Sequence, residues 1–504
     1  ILGFIERIGN KIPDITILFI SAFILVCVVS AVLAQIHFNY VHPATGRPIE
    51  ITNMLSGKAL VDLMSKMVTN YANFPPLSMV IVATLGIGIA DGSGYINTGL
   101  KKILSITPKV LITPVVILVG MLSHLGPDSG YVIIIPIAAY MFYAVGKHPL
   151  AGIAASFAGI AGAFAANYTP SAIDPVIQGF TQSAAQIIDP GYQVNVLCNY
   201  FYAFASTFIV IGACWWVTEK ITNPWLWKAC PLDDDLDLGN ENNSSITPSE
   251  NRAFKIATAV LLLMLTGLAA ALYPADSILR APDGVIASFK APIMQSIVSL
   301  IFIFAALVGL VYGIACGKFK SPKDVTAAME EITKTLVQLI VFYFFAAQFL
   351  YAFGASNMGA LIAVSGAEFL KSLNLPPQVT VFGIIVFVAL LNLIITSASA
   401  KWAILAPIFV PMLMAVGIAP ELTQVAFRVS DSAVNVVTPM FAFYPLIILY
   451  CQKYVKNAGI GTLSSMMLPY TIALLVSLTF MLYLFWWLDI PLGFQADYVY
   501  PRRF

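Results

Sequence analysis

Long apolar segments recur along the whole chain and limit most strongly the folds that it can adopt. A helix that crosses a bilayer needs about 20 apolar residues, and the first such run, from Ile15 to Gln35, is too long for the core of a signal peptide. Only 10% of the 504 residues are charged, whereas an ordinary soluble domain carries roughly 25%. We therefore predict an all-α integral membrane protein whose outer surface faces lipid.

The charge and cysteine patterns exclude several other classes of protein. A net charge of +1 without a concentrated basic face argues against a nucleic-acid partner. The six cysteines are far apart and form no CxxC pair, and no HExxH motif includes any of the four histidines. The sequence therefore predicts neither a disulfide framework nor a zinc centre. An enzyme such as a membrane-embedded protease is not expected, because no nucleophile is accompanied by a base.

Hydropathy predicts nine full crossings and two re-entrant helical hairpins. The hairpins, 110–146 and 378–417, are each long enough for two half-length helices, but small and polar residues interrupt them, including Asp128 in the first. A backbone that turns back inside a membrane is tolerated only where protein or a water-filled cavity surrounds it. The crossings are expected near 15–37, 76–92, 151–168, 195–218, 253–273, 294–316, 336–353, 421–452 and 462–487.

Lysines and arginines are distributed unequally between the two sides of this topology. About twice as many fall on the side of the N-terminus, and an excess of basic residues marks the cytoplasmic side. The N-terminus is therefore expected in the cytoplasm and the C-terminus outside it. The acidic linker near the middle of the chain, 219–252, is then cytoplasmic.

The two hairpin regions resemble each other in sequence. Five crossings separate them, an odd number, so they enter the membrane from opposite faces, as in an inverted-topology repeat. Such repeats place a binding site at broken helices near the bilayer midplane, which favours a transporter over a channel. The positions that match at one constant offset include Tyr131, Pro136, Gly146 and Pro149 in the first half and Trp402, Pro407, Gly417 and Pro420 in the second.

These features divide the chain into six regions. They are an N-terminal scaffold helix with its loop (1–75), a first repeat (76–218, with hairpin 110–146 and a broken helix 151–188), the acidic linker (219–252), scaffold helices (253–316), a second repeat (317–490, with hairpin 378–417 and a broken helix 421–452) and an extracytoplasmic tail (491–504).

The densest group of polar residues inside an apolar region lies in the last broken helix. Arg428, Asp431 and Asn435 are three and four residues apart and hence share one helical face. A charge at the bilayer centre costs about 2.5–3.5 kcal/mol, so it needs a partner or a function. Asp431 is predicted to bind a cation and Arg428 to face an anion, and the alternative is an internal Arg428–Asp431 ion pair. Pro439 should break this helix after about four turns.

Further polar residues cluster at the other helix breaks. Asn392, Ser397 and Ser399 offer neutral oxygens to a cation such as sodium, although small hydroxyl residues also let helices pack closely. Asp174 is either a second carboxylate of the site or a cap of the half-helix that follows it. Trp402 is either a wall for an aromatic substrate or plain packing. The candidates in the first half also include Ser123, His124 and Asn167.

Several longer motifs carry a family resemblance. They occupy residues 147–152 and 173–175 in the first half, and residues 397–402, 406–414, 428–432, 435–440, 459–463 and 466–470 in the second. Together they resemble the AbgT family, the p-aminobenzoyl-glutamate transporters, over nearly the whole chain. Ser430 departs from the family pattern, where a glycine is expected.

The resemblance implies a homodimer in the ion-transporter superfamily layout, in the bacterial inner membrane. It implies a sodium- or proton-coupled carrier of p-aminobenzoyl-glutamate, p-aminobenzoate or a related aromatic carboxylate, and some relatives resemble exporters of sulfonamide antifolates. A sodium-coupled dicarboxylate or citrate carrier of similar architecture is the alternative. The expected substrate residues are Asn167, Asp174, Ser123, Ser399, Trp402, Pro420, Arg428 and Pro439, and the expected sodium ligands are Asn392, Ser397, Asp431 and Asn435.

Overall fold

A computed structural model describes residues 15–41, 46–125, 129–171, 173–233, 246–286 and 290–501. Within these ranges the chain forms helices joined by turns, with two isolated β-bridges and no sheet. The fold is therefore all-helical, as predicted. Asp128 and much of the acidic linker, 234–245, lie outside the described residues.

Ten α-helices, α1 to α10, are described up to residue 229, and the last of them lies within the predicted linker. Two of them begin with a proline, whose missing N–H and fixed φ suit the first helical position. Short π-helical turns extend α7 to Gly162 and α9 to Thr222. The bounds are Ile15–Leu33 (α1), Gly57–Ala72 (α2), Pro75–Ser93 (α3), Tyr95–Ser105 (α4), Ile112–Leu122 (α5), Ser129–Ala144 (α6), Pro149–Phe157 (α7), Ile173–Ala185 (α8), Tyr200–Val217 (α9) and Asn223–Ala229 (α10).

Eleven α-helices, α11 to α21, are described from residue 248 onward. A capping box starts α11, where Glu250 N–H donates to the Thr247 hydroxyl (3.2 Å) and Thr247 N–H donates to the Glu250 carboxylate (2.8 Å). The bounds are Pro248–Leu272 (α11), Pro292–Gln295 (α12), Ile297–Ala315 (α13), Pro322–Lys334 (α14), Val337–Ala355 (α15), Met358–Ser372 (α16), Pro377–Asn392 (α17), Ala398–Met414 (α18), Pro420–Val434 (α19), Tyr444–Gln452 (α20) and Ile460–Trp487 (α21).

Seven helical stretches of the described chain are long and apolar enough to cross a membrane. An eighth is added if α16 and α17, which meet at 117°, count as one bent span. These seven stretches coincide with seven of the predicted crossings. The other two predicted crossings, 151–168 and 421–452, are interrupted: α7 and its π turn end at Gly162, and the second segment is divided between α19 and α20.

Two of the short helices, α7 and α19, are buried along their whole length. Each begins with a proline and leads into a non-helical segment, 163–171 after the π turn of α7 and 435–443 after α19. Helix α7 packs against α5 and α6, and α19 packs against α8, α17, α18 and α21. A helix break leaves backbone N–H and C=O groups without helical partners, and here protein surrounds them. These groups can therefore position polar side chains inside the bundle.

Glycines allow α13 to lie very close to α3. A Cβ atom added at Gly309 would come within 2.5 Å of the Cα atom of Ala90, and one added at Gly86 would come within 2.4 Å of the carbonyl oxygen of Phe302. The obstructing atoms are helix backbone, which cannot rotate out of the way. The contact between these two helices therefore depends on the missing side chains.

We expect Gly309→Ala to lower the melting temperature of the purified protein in detergent. Overpacking of this kind costs about 1–3 kcal/mol, whereas alanine would otherwise favour the helix. Gly267→Ala in α11 is the matched control, because no atom lies within 4 Å of its added Cβ. Equal melting temperatures for the two variants would contradict this account of the contact between α3 and α13.

Candidate functional site

An ion pair joins the two halves of the chain beside the first helix break. Arg428 in α19 places Nη1 2.7 Å from Oδ1 of Asp174 in the first turn of α8. The other oxygen of Asp174 accepts hydrogen bonds from the backbone N–H (2.7 Å) and the hydroxyl (3.0 Å) of Ser171. Asp174 therefore supplies a carboxylate to this polar cluster, and from the first turn of α8 it also bonds the chain that enters the helix.

The guanidinium of Arg428 is buried and only partly satisfied. Its side chain is 5% exposed, and Nη2 has no hydrogen-bond partner among the described residues. The space next to the ion pair, between Asn167, Asn199 and Tyr200, is about 10 Å³ and holds at most one water. In this structure the anion that faces Arg428 is consequently the protein's own Asp174.

Asn167 is held in this region by the break between α5 and α6. The ring of His124 lies 2.6 Å from the Asn167 side-chain oxygen through Nδ1 and 2.6 Å from the carbonyl oxygen of Ile160 through Nε2. The Asn167 nitrogen Nδ2 is buried and has no partner among the described residues. A free amide donor and a free guanidinium donor thus lie in one polar region.

A second buried ion pair involves a lysine that the sequence analysis did not select. Lys401 Nζ lies 2.6 Å from Oδ1 of Asp431, and the two side chains are 0% and 1% exposed. Lys401 also donates to the side-chain oxygen of Asn392. The Arg428–Asp431 pair that the helical spacing allowed is not formed, because each of these residues pairs with a charge from another helix.

Three of the four predicted sodium ligands surround this lysine. The Asn392 amide donates to the backbone carbonyl of Asp431 (2.8 Å) and to the side-chain oxygen of Asn435 (3.1 Å). Ser397 behaves differently, since its exposed side chain caps α18 by accepting the N–H of Ala400 (3.4 Å). The structure therefore groups Asn392, Asp431 and Asn435 but directs the Ser397 hydroxyl to the helix terminus.

A cavity of about 330 Å³ opens between the two hairpin breaks and the helices α3 and α15. Ser123 and Ser399, one from each predicted hairpin, both line it, together with His124 and Ser171. Aliphatic and aromatic side chains form most of the remaining wall. The cavity could accept a small amphipathic molecule, and the residues on its apolar side include Val80, Tyr131, Ile160, Phe164, Leu336 and Leu339.

Trp402 contributes packing in this structure. It is fully buried and stacks on Phe427, with ring centroids 4.4 Å apart and planes inclined by 27°. Its indole N–H donates to the hydroxyl of Thr181 (2.9 Å), which in turn donates to Gln424 (2.6 Å). Trp402 lies three residues beyond Ser399 in α18 and is not among the residues that line the cavity.

The two predicted prolines delimit the helix that carries the charges. Pro420 is the first residue of α19, and Pro439 lies in the non-helical segment after Val434. The fifteen residues of α19 make about four turns, as predicted from Pro439. Both prolines act on the site through the backbone, because they fix where α19 begins and where the chain cannot continue it.

Comparisons with known proteins show which family the chain resembles. Residues 1–500 match the AbgT putative transporter family. The p-aminobenzoyl-glutamate transport protein of Escherichia coli K12 is 33% identical over 502 residues, which cover 99% of this chain and 96% of that protein.

Two solved structures are also similar. The YdaH transporter of Alcanivorax borkumensis has a TM-score of 0.90 and 36% identity, and the match covers 95% of this chain and 100% of that chain. MtrF of Neisseria gonorrhoeae, described as illuminating a class of antimetabolite efflux pumps, has a TM-score of 0.91 and 39% identity, covering 98% and 100%. The chain is thus a membrane transporter and not an enzyme, and it belongs to the AbgT family.

Proposed function

We propose that this protein is a secondary active transporter that couples a sodium or proton gradient to the movement of p-aminobenzoyl-glutamate, p-aminobenzoate or related aromatic carboxylates and sulfonamide antifolates across the bacterial inner membrane. The transport of a small substrate follows from the family. The substrate class is supported by the E. coli relative, whose name states p-aminobenzoyl-glutamate transport, and by the antimetabolite efflux attributed to the class of MtrF.

The observation that carries the proposal is the buried, half-satisfied Arg428. A substrate carboxylate can accept hydrogen bonds from the guanidinium, including the unused Nη2 donor, in the paired geometry that arginine favours. It would have to replace Asp174, which now occupies Nη1. Asn167 offers a second unused donor nearby. The rest of the molecule would occupy the cavity between Ser123 and Ser399, whose apolar wall suits a ring.

The remaining predicted substrate residues would act around this contact. We assign to Trp402 the aromatic surface that a ring meets when it passes Ser399, and to Pro420 and Pro439 the positioning of α19 and hence of Arg428. Trp402 is buried against Phe427 here, so this role requires α18 and α19 to separate during the transport cycle.

Cation coupling is assigned to the cluster around Asp431. Its carboxylate and the side-chain oxygens of Asn392 and Asn435 are the oxygen ligands that a hard cation prefers. Ser397 would join them only if the backbone between α17 and α18 changed, because its hydroxyl now caps α18.

We further propose nine crossings, two re-entrant hairpins and an inverted repeat with the region boundaries predicted from the sequence, in a homodimer with a cytoplasmic N-terminus. The order of helices supports this proposal, since the seven helices α3 to α9 and the seven helices α15 to α21 follow the same succession of a long helix, a shorter one, a two-helix hairpin, a broken pair and a final long helix. Alternating access would then arise when one repeat moves relative to the other.

The test is transport by the purified protein in liposomes. Labelled p-aminobenzoyl-glutamate and p-aminobenzoate are followed under separately imposed sodium and proton gradients, with protein-free liposomes as the background. We expect flux that follows one of the two gradients and disappears when an ionophore dissipates it.

The same assay with labelled succinate tests the alternative, a dicarboxylate or citrate carrier. Gradient-driven succinate uptake without flux of either aromatic substrate would contradict the proposed substrate class and identify a dicarboxylate carrier. Aromatic flux that ignores both gradients would contradict the coupling, and fluxes far above carrier rates would indicate a channel.

A further inference from the structure

We propose that the ammonium group of Lys401 is a tethered cation that occupies the position of the transported sodium ion, so that Lys401 and sodium bind Asp431 alternately. This inference rests on the proposed function in one respect, namely that sodium is the coupling cation and binds at Asp431 during transport. The inference adds the Lys401 ammonium as an internal competitor of the coupling ion. This competitor would determine how tightly the carrier binds the ion, and in which conformational state.

The contacts of Lys401 are those of a bound cation. Its Nζ lies 2.6 Å from the Asp431 carboxylate and also contacts the side-chain oxygen of Asn392. It lies 5.7 Å from the centre of the Phe427 ring, within the range of a cation–π contact. These two oxygens are the ones that we assign to sodium. Since they are directed at Nζ, a sodium ion cannot take the same position while the ammonium remains.

The charge balance of the cluster also argues against simultaneous binding of sodium and the Lys401 ammonium. The Asp431 carboxylate supplies one negative charge, and Lys401 neutralises it in a setting where both side chains are buried. Arg428, on the same helix, is already balanced by Asp174. Adding sodium without removing the ammonium would leave an excess positive charge in the protein interior, which low-dielectric surroundings strongly disfavour.

The cluster retains a place at which an incoming ion could first bind. Oδ2 of Asp431 is buried and has no partner among the described residues. Lys401 is in the first turn of α18, directly after the non-helical residues 393–397. A change in this short segment would move the lysine without unfolding a helix. Sodium can therefore contact one carboxylate oxygen while the lysine departs from the other.

Removal of the competitor should strengthen sodium binding. We expect Lys401→Met to bind sodium about tenfold or more tightly than the unchanged protein, because sodium no longer has to displace the ammonium and the Asp431 charge lacks any other cation. The measurement is radioactive sodium binding to the detergent-purified protein, together with melting curves at increasing sodium. Sodium replaces choline at constant chloride concentration, so ionic strength does not change.

Two further variants separate competition from general damage. Lys401→Arg keeps the positive charge and should show no gain in sodium affinity. The double variant with Lys401→Met and Asp431→Asn carries neither charge, so its melting temperature should not depend on sodium. The expected signature is a strong rise of melting temperature with sodium in Lys401→Met alone.

The proposal is overturned if Lys401→Met binds sodium no more tightly than the unchanged protein. If Lys401→Met is recovered folded in sodium but not in choline, the proposal is supported, because sodium then replaces the ammonium. If Lys401→Met is recovered folded in neither salt, the proposal is overturned, because sodium then fails to replace the ammonium. These measurements use no gradient and no substrate, so a failure of coupled transport in liposomes is read separately from a failure of this inference.

Discussion

Replacing Asp431 by alanine is expected to reduce cation-driven uptake to the level of protein-free liposomes. The carboxylate is the only negative charge in contact with Lys401 among the described residues, and both side chains are buried. We propose that Asp431 binds the coupling cation, and this variant lacks the carboxylate of that proposed site. Substrate movement down its own gradient should persist, but it should no longer follow sodium or protons.

The Asp431→Ala variant also leaves the Lys401 ammonium unpaired. Breaking a buried ion pair by removing one partner costs about 3–5 kcal/mol, so the variant must be shown to fold. Asp431→Asn, which keeps the side-chain volume and can still contact Lys401, should lose coupling with a smaller loss of stability. Glu331→Gln is the control, because it removes a carboxylate from an exposed pair with Lys334. Undiminished gradient-driven uptake by both Asp431 variants would remove Asp431 from the coupling mechanism.

The second large effect is expected at Arg428. Arg428→Gln should weaken the binding of p-aminobenzoyl-glutamate by about 30-fold or more, the equivalent of roughly 2 kcal/mol for a buried charged contact. Arg428→Lys should recover only part of this loss, because an ammonium group cannot make the paired, planar contact of a guanidinium. Binding of labelled substrate to the purified protein is the measurement, without any gradient.

A matched pair of variants separates recognition from stability at Arg428. Arg428→Gln leaves the Asp174 charge unpaired, so a companion variant with Asp174→Asn as well should regain melting temperature but not substrate binding. Arg252→Gln, which changes an exposed arginine in α11, should leave binding unchanged. If the double variant binds as tightly as the unchanged protein, the substrate carboxylate is recognised elsewhere.

Hydropathy predicted the long helices because a bilayer demands uninterrupted apolar length. It did not predict α2, α4, α14 or α16, which are shorter and interspersed with polar residues. Such helices have one apolar side at most, so they produce no run of crossing length. The positions of α7 and α19 were expected, since proline marks both the start of each helix and the segment that follows it.

The polar site could be predicted as a set of residues but not as a set of pairs. The spacing grouped Asp431 with Asn435, because helical periodicity is local, and both contact Asn392. Arg428 lies instead in the other polar region, where it pairs with Asp174. Their partners, Asp174 and Lys401, come from distant segments, and no local rule relates them. The available signal for Lys401 was its position one helical turn after Ser397, beside a predicted break.

The two buried ion pairs have an electrical consequence. Within the described residues, the two buried cations of these pairs are each matched by a buried anion, Lys401 by Asp431 and Arg428 by Asp174. A carrier that reorients in this state moves no net charge of these groups through the field, so the membrane voltage does no work on them. The voltage, worth about 2.3 kcal/mol per elementary charge at 100 mV, would then act on the loaded carrier alone. The reorientation of the loaded carrier would accordingly depend on voltage through these groups, whereas the return of the carrier with both pairs formed would not.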